Sequence, residues 1–240
     1  MAKPYKNQSA GKKEQVATMF NNIAHKYDFL NHFLSFGIDK IWRRKAIDML
    51  APKSPKSILD IATGTGDLAI AALKLKPREI KGIDISKEML RVGIIKIIRL
   101  RYEKTIELVE GDSENIKFKD GYFDAVTVAF GVRNFETLEK GLGEMYRVLN
   151  KKGAGVILEF SKPTAFPVKQ LYTLYFKFIL PGLGKLFSRD RSAYTYLPES
   201  VGEFPDGEAF ISILKKIGFT NCTQKRLSFG IATIYYVEKE

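Results

Sequence analysis

The chain of 240 residues is 45% hydrophobic and has a formal net charge of +12, which suits one α/β domain with a sizeable core rather than two large domains. The single cysteine excludes an intramolecular disulfide and a cysteine-rich zinc site, and we expect no metal centre. The lysine-rich N-terminus lacks the apolar segment of a secretory signal, and no stretch reaches the ~18 apolar residues of a membrane span, so we expect a cytoplasmic protein.

The pattern of apolar residues predicts helices first and then a regular alternation of strands and helices. Residues 12–50 are predicted to hold two helices, the second ending before Pro52. The alternation that follows predicts a parallel, doubly wound sheet. Strands are expected at 57–62, 80–85, 107–110, 123–130 and 154–160 and around Cys222 and Ile234, and helices at 67–75, after the cap residue Ser86, at 138–149 and at 207–217.

The most informative segment is a glycine turn between the first strand and its helix. Gly64 and Gly66 let the backbone approach a ligand closely, and Asp84, at the end of the next strand, can hold a ribose diol. Asp60 and Asp67 put negative charge where a nicotinamide or flavin cofactor has its diphosphate, whereas a sulfonium cofactor without phosphate tolerates both. The pattern therefore indicates S-adenosylmethionine. The alternative is an ordinary turn in which Asp67 caps the helix.

The expected ligand site lies at the carboxyl ends of the strands, near the reversal of strand order. Thr63, Asp84, Asp112 and residues 130–134 all follow predicted strands, so we expect them to cluster there.

Residues 163–203 interrupt the alternation and are rich in aromatic residues. We interpret them as a helical insertion that forms a lid over a large apolar substrate, the alternative being simple core packing. Residues 168–187 are apolar with interspersed lysines and suit a membrane interface, and the basic helix at 91–101 is a second candidate for lipid contact unless it packs its apolar face on the sheet. The aromatic residues of the insertion include Phe166, Tyr172, Phe176, Phe187, Tyr194 and Tyr196.

Several sequence blocks together carry a resemblance to a known family. Over residues 14–232 the chain resembles the class I S-adenosylmethionine-dependent methyltransferases and, more narrowly, the quinone C-methyltransferases of menaquinone and ubiquinone synthesis. The blocks are Tyr27-Asp-Phe-Leu-Asn31, Leu59-Asp-Ile-Ala-Thr-Gly-Thr-Gly-Asp67, Gly111-Asp-Ser-Glu-Asn115, Phe130-Gly-Val-Arg-Asn134, Leu158-Glu-Phe-Ser-Lys-Pro163 and Tyr194-Thr-Tyr-Leu-Pro-Glu-Ser200.

The resemblance implies a Rossmann-like α/β fold with a doubly wound, seven-stranded, mostly parallel sheet. It implies one domain over 1–240, with an N-terminal helical cap at 1–50, a cofactor core at 57–160, the lid at 163–203 and a C-terminal helix and strands at 204–240. The implied reaction is C-methylation of a prenylated quinol, demethylmenaquinol to menaquinol. The benzoquinol step of ubiquinone synthesis is the alternative.

The resemblance also implies which residues hold the methionine and ribose parts of S-adenosylmethionine. Thr63 and the Gly64 backbone would hold the methionine end. Asp60 would order the turn or meet the ammonium group. Asp84 would bind the ribose hydroxyls, because two oxygens of one carboxylate match a diol.

The remaining assignments concern adenine and catalysis. Asp112 and Ser113 would contact the adenine. Arg133 and Asn134 would assist proton loss from the quinol and stabilise its oxygen, with Tyr27 as a further catalytic candidate.

The scattered positive charge leaves several partners to consider. A nucleic-acid methyltransferase is the main rival, but the chain has no added RNA-binding domain or base-flipping motif, so we expect no nucleic-acid partner. A NAD-dependent oxidoreductase and a non-catalytic binding module are further alternatives. We expect a prenylated quinol substrate and transient contact with a membrane surface, with a peripheral location at its inner face and a homodimer left open.

Overall fold

The computed structural model describes residues 2–6, 8–175, 178 and 192–240. Seven strands form one sheet: β1 (Ser57–Ile61), β2 (Glu79–Asp84), β3 (Ile106–Glu110), β4 (Phe123–Ala129), β5 (Leu149–Phe160), β6 (Thr220–Leu227) and β7 (Ala232–Glu238). Their order is β3-β2-β1-β4-β5-β7-β6. Strand β7 is antiparallel to both neighbours and the other pairs are parallel, which confirms the predicted seven-stranded, mostly parallel sheet.

Helices cover both faces of this sheet. They are α1 (Lys12–Leu34), α2 (Ile38–Asp48), α3 (Asp67–Ala72), α4 (Lys87–Arg99), α5 (Leu138–Val148), α6 (Val168–Leu174), α7 (Ser192–Glu203) and α8 (Glu208–Ile217). Helices α2, α3 and α4 pack on one face, and α5 and α8 pack on the other.

The complete burial of β1 follows from this layering. All five of its residues are buried, with Ile58 packed among the residues of α2 and α3 and its neighbour Leu59 in the cluster on the other side. A central parallel strand covered on both faces needs apolar side chains at successive positions. The strand order reverses between β1 and β4, so the fold places the crevice at the carboxyl ends of these two strands.

The two N-terminal helices have different surroundings. Helix α2 belongs to the core, because Trp42, Ala46 and Ile47 pack in the same cluster as the sheet residues. Helix α1 instead crosses the strand ends, where the side-chain oxygen Oδ1 of Asn21 accepts hydrogen bonds from Ser86 Oγ at 2.8 Å and from the Glu88 amide at 3.1 Å. Within the expected cap at 1–50, α1 is therefore the helix that overlies the crevice.

The junction between α5 and β5 differs from the prediction of a helix that ends at 149 and a strand that begins at 154. Strand β5 already begins at Leu149, which pairs with Phe123, and the pairing resumes between Ala154 and Ala125. The extra residues form an irregularity in which Lys152 takes a left-handed φ of 65°. The early start of the strand depends on the pairing of Leu149 with Phe123 of β4, which the local sequence does not indicate.

The expected insertion at 163–203 is described in part. Helices α6 and α7 flank residues 176–177 and 179–191, and Phe176 and Phe187 lie outside the described residues. Among the described residues, no helix is both long enough and apolar enough to span a membrane.

Candidate active site

A cleft lies at the carboxyl ends of β1, β2 and β4, with α1 as its outer wall. It contains six of the nine residues that the sequence assigned to the site. Lys13 and Phe20 of α1 also line it. The six residues are Tyr27, Gly64, Asp84, Asp112, Ser113 and Asn134.

The glycine turn is built for close backbone approach. Gly64 and Gly66 have left-handed φ angles of 58° and 81°, and nothing lies within 4 Å of where a Cβ on Gly64 would be. The Gly64 amide donates a 2.8 Å hydrogen bond to Asp84 Oδ2, and the Ser86 amide donates one of 2.8 Å to Oδ1. Each carboxylate oxygen keeps a lone pair for a further donor, so Asp84 is fixed in place and can still accept from a diol.

Burial raises the pKa of the Asp84 carboxyl, and the backbone donors at Ser86 and Gly64 oppose this effect. A carboxylate in such a place gains from donors that stabilise its charged form. The hydroxyls of a ribose are donors of this kind.

Asp60 and Thr63 lie behind the turn rather than in the wall of the cleft. Asp60 is fully buried and accepts hydrogen bonds from Thr63 Oγ1 at 2.5 Å and from Thr127 Oγ1 at 2.7 Å. Burial raises the pKa of Asp60 to about 6, although both threonine hydroxyls oppose the shift. The Thr63 hydroxyl donates to Asp60, and the assignment of Thr63 to the methionine end of the cofactor stays a prediction. Of the two roles considered for Asp60, the contacts favour ordering the turn.

Two strand ends carry strained backbone that the sequence did not indicate. Ala62, after β1, has a φ of 52°, and Phe130, after β4, has a φ of 59°. Residues other than glycine rarely adopt this region, and such strain concentrates at functional sites. Both residues line the cleft, so the strain lies where the two strands meet the ligand crevice.

The far end of the cleft is closed by an ion pair. Asp112 Oδ1 accepts a 2.8 Å hydrogen bond from the Glu114 amide, and Oδ2 pairs with Lys13 Nζ at 2.7 Å. Ser113 lies beside them in the wall. Lys13 belongs to α1, so the pair joins this helix to the end of β3.

A second lysine fixes α1 to the turn that follows β4. The Lys12 ammonium is largely buried and donates hydrogen bonds to the backbone oxygens of Arg133 at 2.9 Å and Phe135 at 2.8 Å. Burial lowers the pKa of Lys12. Helix α1 therefore holds the segment that carries the proposed catalytic residues.

Asp67 belongs to a charged network beneath α1 and does not line the cleft. It pairs with Lys96 at 2.8 Å and lies 3.6 Å from His32 and 4.0 Å from Arg43. Burial alone would raise the pKa of Asp67, but the charges of Arg43 and Lys96 outweigh it and the pKa is lowered. His32, Asp39 and Asp67 are close enough to share an ion, yet Arg43 and Lys96 already neutralise the two carboxylates.

A larger apolar cavity of about 530 Å³ adjoins the cleft. Phe20, Tyr27 and Phe130 line both spaces, so three aromatic rings form the partition between them. The remaining wall is contributed by α1, α2, α6, α7 and the turn after β6. It includes Trp42, Phe160, Leu171, Tyr172, Tyr194, Tyr196 and Ile231.

Arg133 contributes a positive charge to the wall of this cavity rather than to the cleft. Its Nη1 donates to Glu159 Oε1 at 2.7 Å and to the Phe130 backbone oxygen at 2.5 Å, and its guanidinium lies 5.5 Å from the ring of Phe160. Its Nε is buried and has no hydrogen-bond partner among the described residues. Glu159 is fully buried, and this burial raises its pKa against the opposing charge of Arg133.

Asn134 and Tyr27 connect the two spaces. Asn134 lines the cleft, and its Oδ1 accepts a 3.0 Å hydrogen bond from the hydroxyl of Tyr196, which lines the cavity. Tyr27 lines both spaces, and burial raises the pKa of its hydroxyl despite a hydrogen bond with Asn31. Burial likewise raises the pKa of Tyr196 to about 12, so both phenols remain protonated near neutral pH.

The sequence missed several residues of this arrangement. Lys12 and Phe20 were not assigned to the site, Phe130 was placed there only as the first residue of a loop, Glu159 was quoted only as part of a motif, and Tyr196 only in a motif and among the aromatic residues of the insertion. The motif blocks around Glu159 and Tyr196 were the available signal. Their partners, however, lie 26 and 62 residues away along the chain, and no local spacing reveals such contacts.

The acceptor groups of the cleft fit a cofactor that has hydroxyl and ammonium groups as donors. Asp84 and Asp112 line it, and its one lysine, Lys13, is already paired with Asp112 among the described residues. The Gly64 amide, which would face a diphosphate in a dinucleotide site, donates to Asp84 instead. The chemistry of the cleft therefore suits S-adenosylmethionine and not a dinucleotide.

Solved structures share this architecture, which is the class I methyltransferase fold. An S-adenosylmethionine-dependent methyltransferase of Thermotoga maritima has a TM-score of 0.64 at 18% identity, covering 93% of this chain and 99% of that chain. Phosphoethanolamine N-methyltransferase 2 of Haemonchus contortus, solved in complex with S-adenosylmethionine, has a TM-score of 0.56 at 15% identity, covering 77% and 48%. The [4+2]-cyclase SpnF also reaches 0.64 at 14% identity, covering 96% and 97%, so the fold alone does not fix the reaction.

Residues 8–239 match the ubiE/COQ5 methyltransferase family, and the chain belongs to it. The demethylmenaquinone methyltransferase of Bacteroides fragilis is 50% identical over 238 residues, 99% of this chain and 97% of the relative. The ubiquinone/menaquinone biosynthesis C-methyltransferase UbiE of Geotalea uraniireducens is 46% identical over 230 residues, covering 95% and 97%. The predicted family, methyltransferase class and S-adenosylmethionine cofactor are thereby confirmed.

Proposed function

We propose that this enzyme transfers a methyl group from S-adenosylmethionine to a ring carbon of a prenylated quinol, converting demethylmenaquinol to menaquinol. The observation that carries the proposal is the large apolar cavity next to the cofactor cleft, with Phe20, Tyr27 and Phe130 between them. A bicyclic aromatic ring with an isoprenoid tail needs an apolar cavity with a few polar groups. The names of the relatives from Bacteroides fragilis and Porphyromonas gingivalis support the same substrate.

In the cleft, the residues of this chain bind and orient the cofactor. Asp84 accepts from the ribose hydroxyls, Asp112 and Ser113 face the adenine, and the Gly64 backbone approaches the methionine. Asp60 and Thr63 act indirectly by fixing the turn, as their hydrogen bond behind it suggests. Bound S-adenosylmethionine supplies an electrophilic methyl group on a cationic sulfur.

On the substrate side, the chain must increase the electron density of the ring and remove a proton. The ring carbon would form one new carbon–carbon bond as the methyl–sulfur bond breaks and S-adenosylhomocysteine leaves, and the ring hydrogen would be lost as a proton to water, while the quinol oxygen stabilises the charge that develops. Arg133 is the cation of the cavity wall suited to that oxygen, because Glu159 and the Phe130 carbonyl hold its Nη1 in place. Asn134 and Tyr27 line the passage between the two spaces and position the ring.

The test is a methyl-transfer assay with labelled S-adenosylmethionine and reduced demethylmenaquinone. Label should enter the quinone under reducing conditions and not with the oxidised quinone, because the oxidised ring lacks the donating hydroxyl. Tight cofactor binding without transfer to any quinol would contradict the proposed substrate but leave the cofactor assignment intact.

A benzoquinol precursor of ubiquinone is the second candidate. The Geotalea relative is named for both ubiquinone and menaquinone biosynthesis, which favours including this acceptor. Equal amounts of the two reduced quinones in one reaction, resolved by chromatography, give the ratio of their kcat/KM values. A ratio that favours the benzoquinol would reassign the substrate.

The proposal includes transient contact with a membrane surface, because a long isoprenoid tail resides in lipid. A homodimer stays a prediction, which sedimentation of the purified protein tests.

A further inference from the structure

Two exposed phenylalanines occupy strained positions in turns. Phe36, between α1 and α2, is 86% exposed with a φ of 51°, and Phe229, between β6 and β7, is 83% exposed with a φ of 58°. A bulky side chain in the left-handed region is uncommon and is held there against a backbone preference. Both rings stay exposed among the described residues, so packing within that part of the chain does not account for these positions.

Both turns lie at the same cavity. Phe36 lines the 530 Å³ cavity, and so does Ser228, the residue before Phe229. The Trp42 indole nitrogen donates a 3.0 Å hydrogen bond to Ser228 Oγ, which joins the end of β6 to α2. The exposed rings therefore flank the cavity's opening.

Helix α6 contributes further apolar groups to this opening. Leu171 and Leu174 line the cavity and are nevertheless 61% and 51% exposed, and Phe166, just before the helix, is 82% exposed. We call Phe36, Phe166, Leu171, Leu174 and Phe229 the mouth rim. A group of exposed apolar side chains around one cavity marks an interaction surface.

Basic side chains lie on the two elements next to the strained phenylalanines, namely α2 after Phe36 and β6 before Phe229. Arg44 and Lys45 follow Ile41 at helical spacings of three and four on the exposed face of α2, and the Arg226 guanidinium lies beside Gly230, next to Phe229. None of these three cations forms an ion pair with an acid among the described residues. The charge around the rim therefore complements an anionic surface.

We propose that the mouth rim docks on an anionic lipid bilayer, with Phe36 and Phe229 inserted at the interface and Arg44, Lys45 and Arg226 facing the headgroups. The inference rests on the proposed function, because docking in this orientation would open the cavity directly to the lipid in which a prenylated quinol dissolves. Helix α4 is the rival surface, because Ile95 and Ile98 are 60% and 57% exposed, but its residues do not line the cavity.

The test is sedimentation of the full chain with vesicles of phosphatidylcholine, with and without phosphatidylglycerol. Replacement of Phe36→Asn and Phe229→Asn together should lower partitioning roughly tenfold or more, because each change removes a large apolar group from the lipid interface. Asparagine tolerates the left-handed region, so the double variant should fold at least as well. The matched control is Ile95→Gln with Ile98→Gln, which should bind vesicles as the wild type does.

Several results would overturn the assignment. The assignment would be wrong if the double variant partitioned onto vesicles as the wild type does. It would also be wrong if the α4 control lost as much binding as the double variant, or if the wild type bound equally well to vesicles without phosphatidylglycerol. If the wild type forms a dimer without lipid and the double variant does not, the mouth rim would instead be the interface with a second copy of the chain.

A turnover comparison separates this proposal from the proposed function. Phe229→Asn should methylate a short-tailed, water-soluble quinol at the wild-type rate but should slow several-fold on a long-tailed quinol held in vesicles. If the wild type methylates neither quinol, the proposed function is wrong. The partitioning experiment then still tests whether the mouth rim binds lipid.

Discussion

The hydroxyl of Tyr196 donates a 3.0 Å hydrogen bond to Oδ1 of Asn134 and thereby joins the wall of the apolar cavity to the wall of the cofactor cleft. The other end of the Asn134 amide donates to the backbone oxygen of Phe130 at 3.3 Å. With both ends held, the amide has one orientation. A change in the cavity can therefore reach the cleft through one side chain.

Replacing Tyr196→Phe should lower kcat about tenfold, because the Asn134 amide loses the donor that fixes its orientation. The free energy of unfolding should fall by about 1 kcal/mol, the usual net contribution of one buried hydrogen bond. Steady-state kinetics and urea unfolding measure the two effects. Tyr122→Phe is the matched control, since its hydroxyl bonds to Glu79 at the surface. An unchanged kcat in Tyr196→Phe would remove this bond from the mechanism.

Replacing Asp84→Asn should weaken binding of S-adenosylhomocysteine by roughly a hundredfold while the fold persists. The amide keeps the shape of the side chain but loses the charge, and its nitrogen would oppose the Gly64 or Ser86 amide. Titration calorimetry gives the affinity, and circular dichroism checks the fold. Glu110→Gln, an exposed acid at the end of β3, should bind normally. Normal binding by a folded Asp84 variant would refute the ribose assignment.

Replacing Arg133→Lys should cut turnover by about a hundredfold and leave cofactor affinity within a factor of two or three, because Arg133 faces the cavity and not the cleft. Lysine keeps a charge beside the buried Glu159, whereas alanine would leave that carboxylate alone and destabilise the fold by about 3–5 kcal/mol. Single-turnover rates and cofactor titrations separate the two effects. A loss of cofactor affinity as large as the loss of turnover would show that Arg133 acts in the cofactor cleft and not in the apolar cavity.

The buried Asp60 should make stability depend on pH. Its pKa is about 6 in the folded protein against 3.8 as the ordinary value, so the folded state binds the proton more tightly. The corresponding stabilisation, about 3 kcal/mol, is complete below the ordinary pKa and is lost as the pH rises through about 6. Urea unfolding gives the free energy of unfolding of the wild type and of Asp60→Asn. As the pH rises over this range, the wild type should lose stability relative to the variant. A difference that stays constant with pH would show that Asp60 has an ordinary pKa.

Replacing Lys12→Met should loosen α1 from the turn after β4. The carbonyls of Arg133 and Phe135 then lose a charged donor. Hydrogen exchange should accelerate at the start of α1, and cofactor affinity should fall several-fold because α1 forms one wall of the cleft. Lys6→Met is the control, as this exposed lysine pairs with Glu199 at the surface. Unchanged exchange would show that other contacts hold the helix.

The elements that were predictable from the sequence are those with local causes. Continuous apolar runs indicated the central strands, and Gly64, Gly66 and Asp84 showed the cofactor turn through backbone freedom and spacing. Ser86 was recognised as a helix cap, and its hydroxyl accepts from the Met89 amide.

The elements that were not predictable depend on contacts between distant parts of the chain. The strained φ of Phe130 has no local signature, because the residue is not glycine and the strain comes from its place in the packed sheet. The Asp60 carboxylate accepts hydrogen bonds from the Thr63 hydroxyl and from Thr127 of a separate strand, and no local spacing indicates the second of them. The packing of α2 against the sheet was likewise not predictable, since amphipathic spacing does not tell whether the covered surface is a sheet or a cleft.

The size of the apolar cavity sets a limit on what the enzyme can discriminate. A volume of about 530 Å³ suits a molecule of drug size, which on the proposed function would be the ring of the quinol and the beginning of its tail. Isoprene units beyond the opening would then lie outside the cavity that the described residues form and would contribute little to selection. Quinols that differ only in tail length should therefore be methylated at similar rates, while a change in the ring itself would meet Arg133 and its aromatic neighbours at once.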